Sequence, residues 1–240
     1  LWPGGDVATV GKGRVIASQD IEGSLAKIGV TPDFRSDAGD KLGFLHRRLT
    51  DGDSYFLVNF DNAPVTTEAR FRVTGKAPEL WHAETGKSEP VSYRIENGET
   101  VVPLQFDAEQ SFHVVFRKPA VADSLAIKKV VPIEAATLDG AWDVVFQTNR
   151  GAPATAKFAQ LEPLDKNADP AIKYFSGEAN YSRDFATPKG WKAGQPLWLD
   201  LGAVHELAEV TVNGQAAGAV WHAPYRLDIG AFAKPGKNRI

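Results

Sequence analysis

Three segments decide the fold of this chain: FSGEANYSRDF at 175–185, LWLDL at 197–201 and AEVTVNGQAAGAV at 208–220. In the first, Phe175, Gly177, Ala179, Tyr181 and Phe185 share one parity, while Ser176, Glu178, Asn180, Ser182 and Asp184 take the other. That is the period of a strand with one buried face. Leu197, Leu199 and Leu201 alternate with Trp198 and Asp200, and Ala208, Val210 and Val212 alternate with Glu209 and Thr211. Asn213-Gly214 supplies the two positive φ angles of a type I′ turn, which predicts a hairpin of 209–212 with 215–220. A strand at 225–229 and a turn at Lys234-Pro235-Gly236-Lys237 follow. Asn238-Arg239-Ile240 reads as the opening of another strand, so a chain truncated there is expected to leave one sheet edge open.

Working outward, 42–118 is a run of short strands at sandwich spacing. Thr50-Asp51-Gly52-Asp53 and Asn97-Gly98 mark turns; Ala69, Phe71 and Val73 oppose Glu68, Arg70 and Arg72; Phe112, Val114 and Phe116 supply a core strand. Seven strands are expected. Upstream, Gly11-Lys12-Gly13 is a turn, 14–17 a short strand, and Asp20 the N-cap of a helix that runs through Ile28 and ends at Gly29. The glycines lack the spacing and the following helix N-terminus of a phosphate loop. The expected organisation is an α/β tail at 1–37, a β-sandwich at 38–118, a linker at 119–135 and a second β domain at 136–240, opened by Leu138-Asp139-Gly140-Ala141-Trp142. Within it, 147–170 is poor in pattern, with one strand near 156–161.

Composition excludes several function classes. The 240 residues carry a net charge of −3, which offers no electrostatic case for nucleic acid or an anionic membrane surface. No apolar run approaches the roughly 20 residues of a membrane-spanning helix. With no cysteine, thiolate metal sites, disulfides and cysteine nucleophiles are excluded. The chain begins at Leu1 and contains no methionine, so the natural N-terminus, with any export signal, is expected to lie elsewhere.

Chemistry-bearing patterns are sparse. His205-Glu206-Leu207-Ala208-Glu209 lacks the second histidine of a zinc helix, and His46, His82, His113, His205 and His222 do not fall at ligand spacing. Asp51-Gly52-Asp53 reads as turn chemistry rather than calcium chemistry. No serine sits in a nucleophile elbow. Neither cofactor nor metal is expected. What remains are groups suited to a sugar, whose apolar face stacks on aromatic rings while its hydroxyls pair with polar groups. Tyr181, Arg183, Trp191, Trp221, His222 and Tyr225 are the carbohydrate-binding candidates; read as packing residues, the same aromatics belong to the core and Arg183 to an edge ion pair.

These motifs carry a resemblance. YSRDF at 181–185, LDLG at 199–202, AEVTVNG at 208–214 and KPGKN at 234–238 resemble the sugar-binding, galactose-binding-like jelly roll attached to family 2 glycoside hydrolases. With WHAPY at 221–225, and FLHRR, DGD and YF at 44–48, 51–53 and 55–56, the chain resembles the C-terminal part of the family 106 α-L-rhamnosidases. The GKGRV tail at 11–15 is similar to the end of an amidotransferase-like α/β domain. The fold class that follows is mainly β: a β-sandwich, then a jelly roll, after a short α/β remnant. The resemblance implies a periplasmic or extracellular glycoside hydrolase whose catalytic acids lie in a missing N-terminal part of the same polypeptide, so that no catalytic residue falls in this segment. Its partners would be carbohydrate and that catalytic part, with no nucleic acid and no membrane. A free-standing carbohydrate-binding or adhesion module is the alternative.

Overall fold

The computed structural model describes residues 7–128 and 130–240. Strands are antiparallel throughout, and the chain divides into two compact units, Leu1–Val130 and Val131–Ile240.

The first unit begins with a hairpin of β1 (Val7–Val10) and β2 (Gly13–Ile16), then helix α1 (Ile21–Lys27). Asp20 caps that helix as expected, its Oδ1 accepting from Gly23 N at 2.9 Å. Ten strands follow: β3 (Phe34–Ser36), β4 (Leu42–Arg48), β5 (Asp53–Asn59), β6 (Val65–Phe71), β7 (Lys76–His82), β8 (Lys87–Pro90), β9 (Tyr93–Glu96), β10 (Glu99–Phe106), β11 (Ser111–Pro119) and β12 (Ser124–Leu125). They form two five-stranded sheets, ordered β12-β9-β10-β6-β3 and β4-β5-β11-β7-β8. One core fills between them, with Ala69, Phe71, Val102, Leu104 and Phe106 from the first sheet and Tyr55, Leu57, Phe112, Val114 and Phe116 from the second. Each large side chain buried there contributes about 1.5–3 kcal/mol.

Seven strands were expected and ten are present. The additions include short edge strands whose sequence carries no period: β8 is exposed along its length, β12 is exposed and held by backbone pairing to β9, and β3 has one buried residue, Phe34. Phe34 packs on Phe44 and Phe71, with centroids 4.7 and 5.2 Å away. The sandwich therefore runs from Phe34 to Leu125, taking residues from both the expected tail and the expected linker.

In the second unit, β13 (Trp142–Phe146) lies between β14 (Thr155–Phe158) and, later in the chain, β15 (Ala179–Ser182). A single helical turn, α2 (Pro170–Lys173), is capped by Asp169. The strand expected from Phe175 becomes regular only at Ala179, although Phe175 still packs edge-on against Phe146 at 4.9 Å. It then changes partner. Residues 179–182 pair with β13, whereas β16 (Asp184–Ala186) pairs with β21 (Lys237–Arg239). At the switch, Arg183 and Ile240 exchange two backbone hydrogen bonds of 3.0 Å. Between these elements, β17 (Trp198–Asp200) pairs with β20 (Arg226–Asp228), and β18 (Ala208–Val212) with β19 (Gln215–Val220) across the expected turn, with φ of 52° at Asn213 and 80° at Gly214.

Two apolar clusters result, one around Val144, Phe146, Phe158 and Ile172 and one around Leu199, Val210, Val212 and Ile229. Residues 238–240 are engaged on both sides. One side meets β16, and on the other Asn213 donates its backbone N–H to Arg239 O at 2.8 Å and accepts from Arg239 N through its side-chain oxygen at 3.1 Å. The molecule is mainly β, a sandwich followed by a jelly-roll-type unit.

Candidate functional site

Three of the sequence candidates, Trp221, His222 and Tyr225, occupy the loop joining β19 to β20. Trp221 is 53% exposed, and its ring meets that of His222 edge-on at 5.8 Å. His222 Nδ1 lies 2.8 Å from Ala223 O; a carbonyl only accepts, so Nδ1 carries the proton. Tyr225 is half-buried, and its carbonyl accepts from Leu201 N at 2.9 Å. The loop is anchored at its downstream end, where Arg226 donates to Asp200 Oδ2 at 2.8 Å. Gly202 N–H and then the Arg226 guanidinium hold the Asp200 carboxyl below the ordinary carboxylate range. Trp191 belongs to a different loop and donates its indole N–H to Gln195 O at 3.2 Å.

The other two candidates sit in the frame. Tyr181 packs on Phe158 at 5.9 Å, and burial raises its phenol pKa. Arg183 donates to Leu138 O at 2.6 Å and lies over the Trp142 ring at 5.2 Å, tying the start of this unit to the point where the strand changes partner.

A denser polar cluster lies in the first unit, where sequence reasoning left His46 unassigned. His46 Nδ1 is 2.7 Å from Asp33 Oδ2 and its Nε2 is 3.1 Å from Asp53 Oδ1. Carboxylates only accept, so a ring bearing both N–H groups serves both bonds, and a singly protonated ring serves one. The ring stacks on Tyr55 at 4.0 Å. Asp33 also accepts from Tyr55 Oη and Arg72 Nη2, each at 3.3 Å. Burial, followed by the charges of Asp33 and Asp53, pushes the Tyr55 phenol pKa up. The register explains the cluster, because His46 lies opposite Tyr55 across β4 and β5. The available signal was parity: His46 shares the inner face of β4 with Leu42 and Phe44.

Beside this network, a cavity of about 510 Å³ is lined by Arg48, Thr50, Asp51, Asp53, Arg72 and Lys76. Asp51 is paired with Arg117, which holds its carboxyl below the ordinary range. The turn acids thus face cations, and among the described residues no cluster suited to a metal ion occurs.

The whole chain superimposes on the rhamnosidase of Novosphingobium sp. PP1Y with a TM-score of 0.93 and 57% identity, and residues 1–95 match the family model for alpha-L-rhamnosidase, glycoside hydrolase family 106. The chain is similar to that family over those residues. It spans 23% of the Novosphingobium enzyme. A Formosa agariphila protein provisionally named a beta-glucuronidase is 38% identical over 104 residues, which cover 43% of this chain and 9% of that protein. Of the cluster, His46, Asp53 and Tyr55 fall in the family-patterned stretch at 44–56, while Asp33 and Arg72 lie outside it.

Proposed function

We propose that the chain is the accessory, non-catalytic part of an α-L-rhamnosidase-like glycoside hydrolase acting on rhamnose-containing glycans or glycosides outside the cytoplasm. It serves as scaffold for the catalytic part of the longer polypeptide and contacts carbohydrate through Trp221, His222, Tyr225 and Trp191, with Tyr181 and Arg183 holding the frame of that unit. The observation that carries this reading is the 57% identity over the full length to 23% of a rhamnosidase. That match favours a segment of an enzyme over a free-standing module. It also favours rhamnose over glucuronate, since the glucuronidase-named relative is less similar and matched over a shorter stretch.

The test is hydrolysis of an aryl α-L-rhamnoside by the purified 240 residues. No turnover is expected. Turnover that a single Asp or Glu replacement within the chain abolishes would overturn the non-catalytic reading.

A further inference from the structure

The outer face of the sheet β4-β5-β11-β7-β8 carries an apolar row that packing of the sandwich does not use. Cross-strand register aligns Leu45 with Phe56, Phe56 with His113, His113 with Trp81, and Trp81 with Ser88. Directly paired residues share a face, and neighbouring strands lie about 4.8 Å apart, so one stripe crosses the sheet. The opposite face holds Tyr55, Leu57, Phe112 and Val114 in the core. On the outer side Leu45 is 53% exposed and Trp81 37%, and the Phe56 and His113 rings lie 5.2 Å apart.

At the Trp81 end the stripe runs into a hollow of about 350 Å³, lined by Trp81, His82, Gly86, Lys87, Ser88 and His113. That is the lower end of the size range of small-molecule sites. Its ring is already oriented, since Trp81 Nε1 donates to Glu79 Oε2 at 3.4 Å and Glu79 is itself held by Lys118. With the polar edge of the indole engaged internally, hydrocarbon is what it presents to the hollow. The rim is polar and close to charge-balanced. His82 Nε2 meets Glu89 Oε1 at 3.0 Å, and His113 Nδ1 meets Ser54 Oγ at 3.3 Å. Lys87 and Ser88 line the same hollow.

We propose that this hollow is a subsite for a neutral pyranose of the glycan, whose apolar ring face stacks on Trp81 while its hydroxyls pair with Lys87, Ser88 and His113. An oriented aromatic ring beside short polar groups, without strong net charge, is the combination such a ring requires. The assignment rests on the reading that the protein handles glycans, and it concerns a unit separate from the Trp221 loop.

Calorimetric titration of the 240-residue chain with a neutral rhamno-oligosaccharide, and with a rhamnose–glucuronate oligosaccharide of equal length, tests it. The expected result is two glycan sites per chain for the neutral probe, falling to one in Trp81→Ala and to one in Trp221→Ala. Ser88→Ala and Lys87→Ala, whose side chains lie on an exposed strand, should weaken the first site severalfold without shifting the unfolding midpoint. If Trp81→Ala leaves every binding event intact while Trp221→Ala removes one, this subsite is refuted and the proposed function stands. Binding of the acidic probe alone refutes the neutral assignment. Sedimentation showing a dimer that Trp81→Ala dissolves assigns the face to a second copy of the chain. No binding of either probe rejects both the subsite and the carbohydrate contact proposed above.

Discussion

Asn238 shows how much one residue of a recognisable motif carries. It is almost fully buried; its amide donates to Lys234 O at 2.8 Å and Gly236 O at 2.9 Å, and its Oδ1 accepts from Lys234 N and Asn213 Nδ2 at 2.8 Å each. The KPGKN turn and the Asn-Gly hairpin, 20 or more residues apart, are thereby bound to each other. Asn238→Ala strands several buried polar groups, each costing about 1–3 kcal/mol when unpaired. A net loss of about 2–4 kcal/mol is expected by denaturant unfolding, with Asn238→Asp intermediate because it keeps the acceptors. Asp200 gives a pH signature. Its folded pKa is depressed, so its contribution is fully present above the unfolded value near 3.9 and is lost as pH falls through the folded value. The unfolding midpoint should therefore drop below about pH 4, and Asp200→Asn should flatten that drop while lowering stability at neutral pH.

Among the elements, the turn joining β4 to β5 is constrained by a close approach. A Cβ at Gly52 would lie 2.0 Å from the carbonyl oxygen of Phe116, a backbone atom of the central strand β11. Gly52→Ala must therefore push the turn off the sheet, breaking the 2.7 Å bond from Leu49 N to Gly52 O and straining the Asp51–Arg117 and His46–Asp53 pairs. A loss of about 2–4 kcal/mol is expected, the range of overpacking with backbone displacement. Amide exchange should show it first at Asp53–Asn59. An unchanged midpoint would mean that the turn can move freely.

For the whole molecule, the two units have separate cores and should report separately. Phe71→Ala, which costs about 3–5 kcal/mol, should speed exchange across the sandwich and leave Val210 and Val212 protected, while Val212→Ala should do the reverse. Loss of protection in both units from either change would show that they unfold as one. The sequence alone determined what depends on neighbours along the chain. The alternation in β13, β17 and β18, the Asp20 cap and the Asn-Gly turn are all set within a few residues, and the motifs at 44–56 and 181–238 pointed to the family. Register and partner choice were settled only in the tertiary structure. No local pattern announces that 179–186 changes sheets at Arg183, or that His46 meets acids 13 residues before and 7 after it. Those outcomes depend on which strands lie side by side, and that is decided by burying distant apolar faces together, a free energy that no short window of sequence contains.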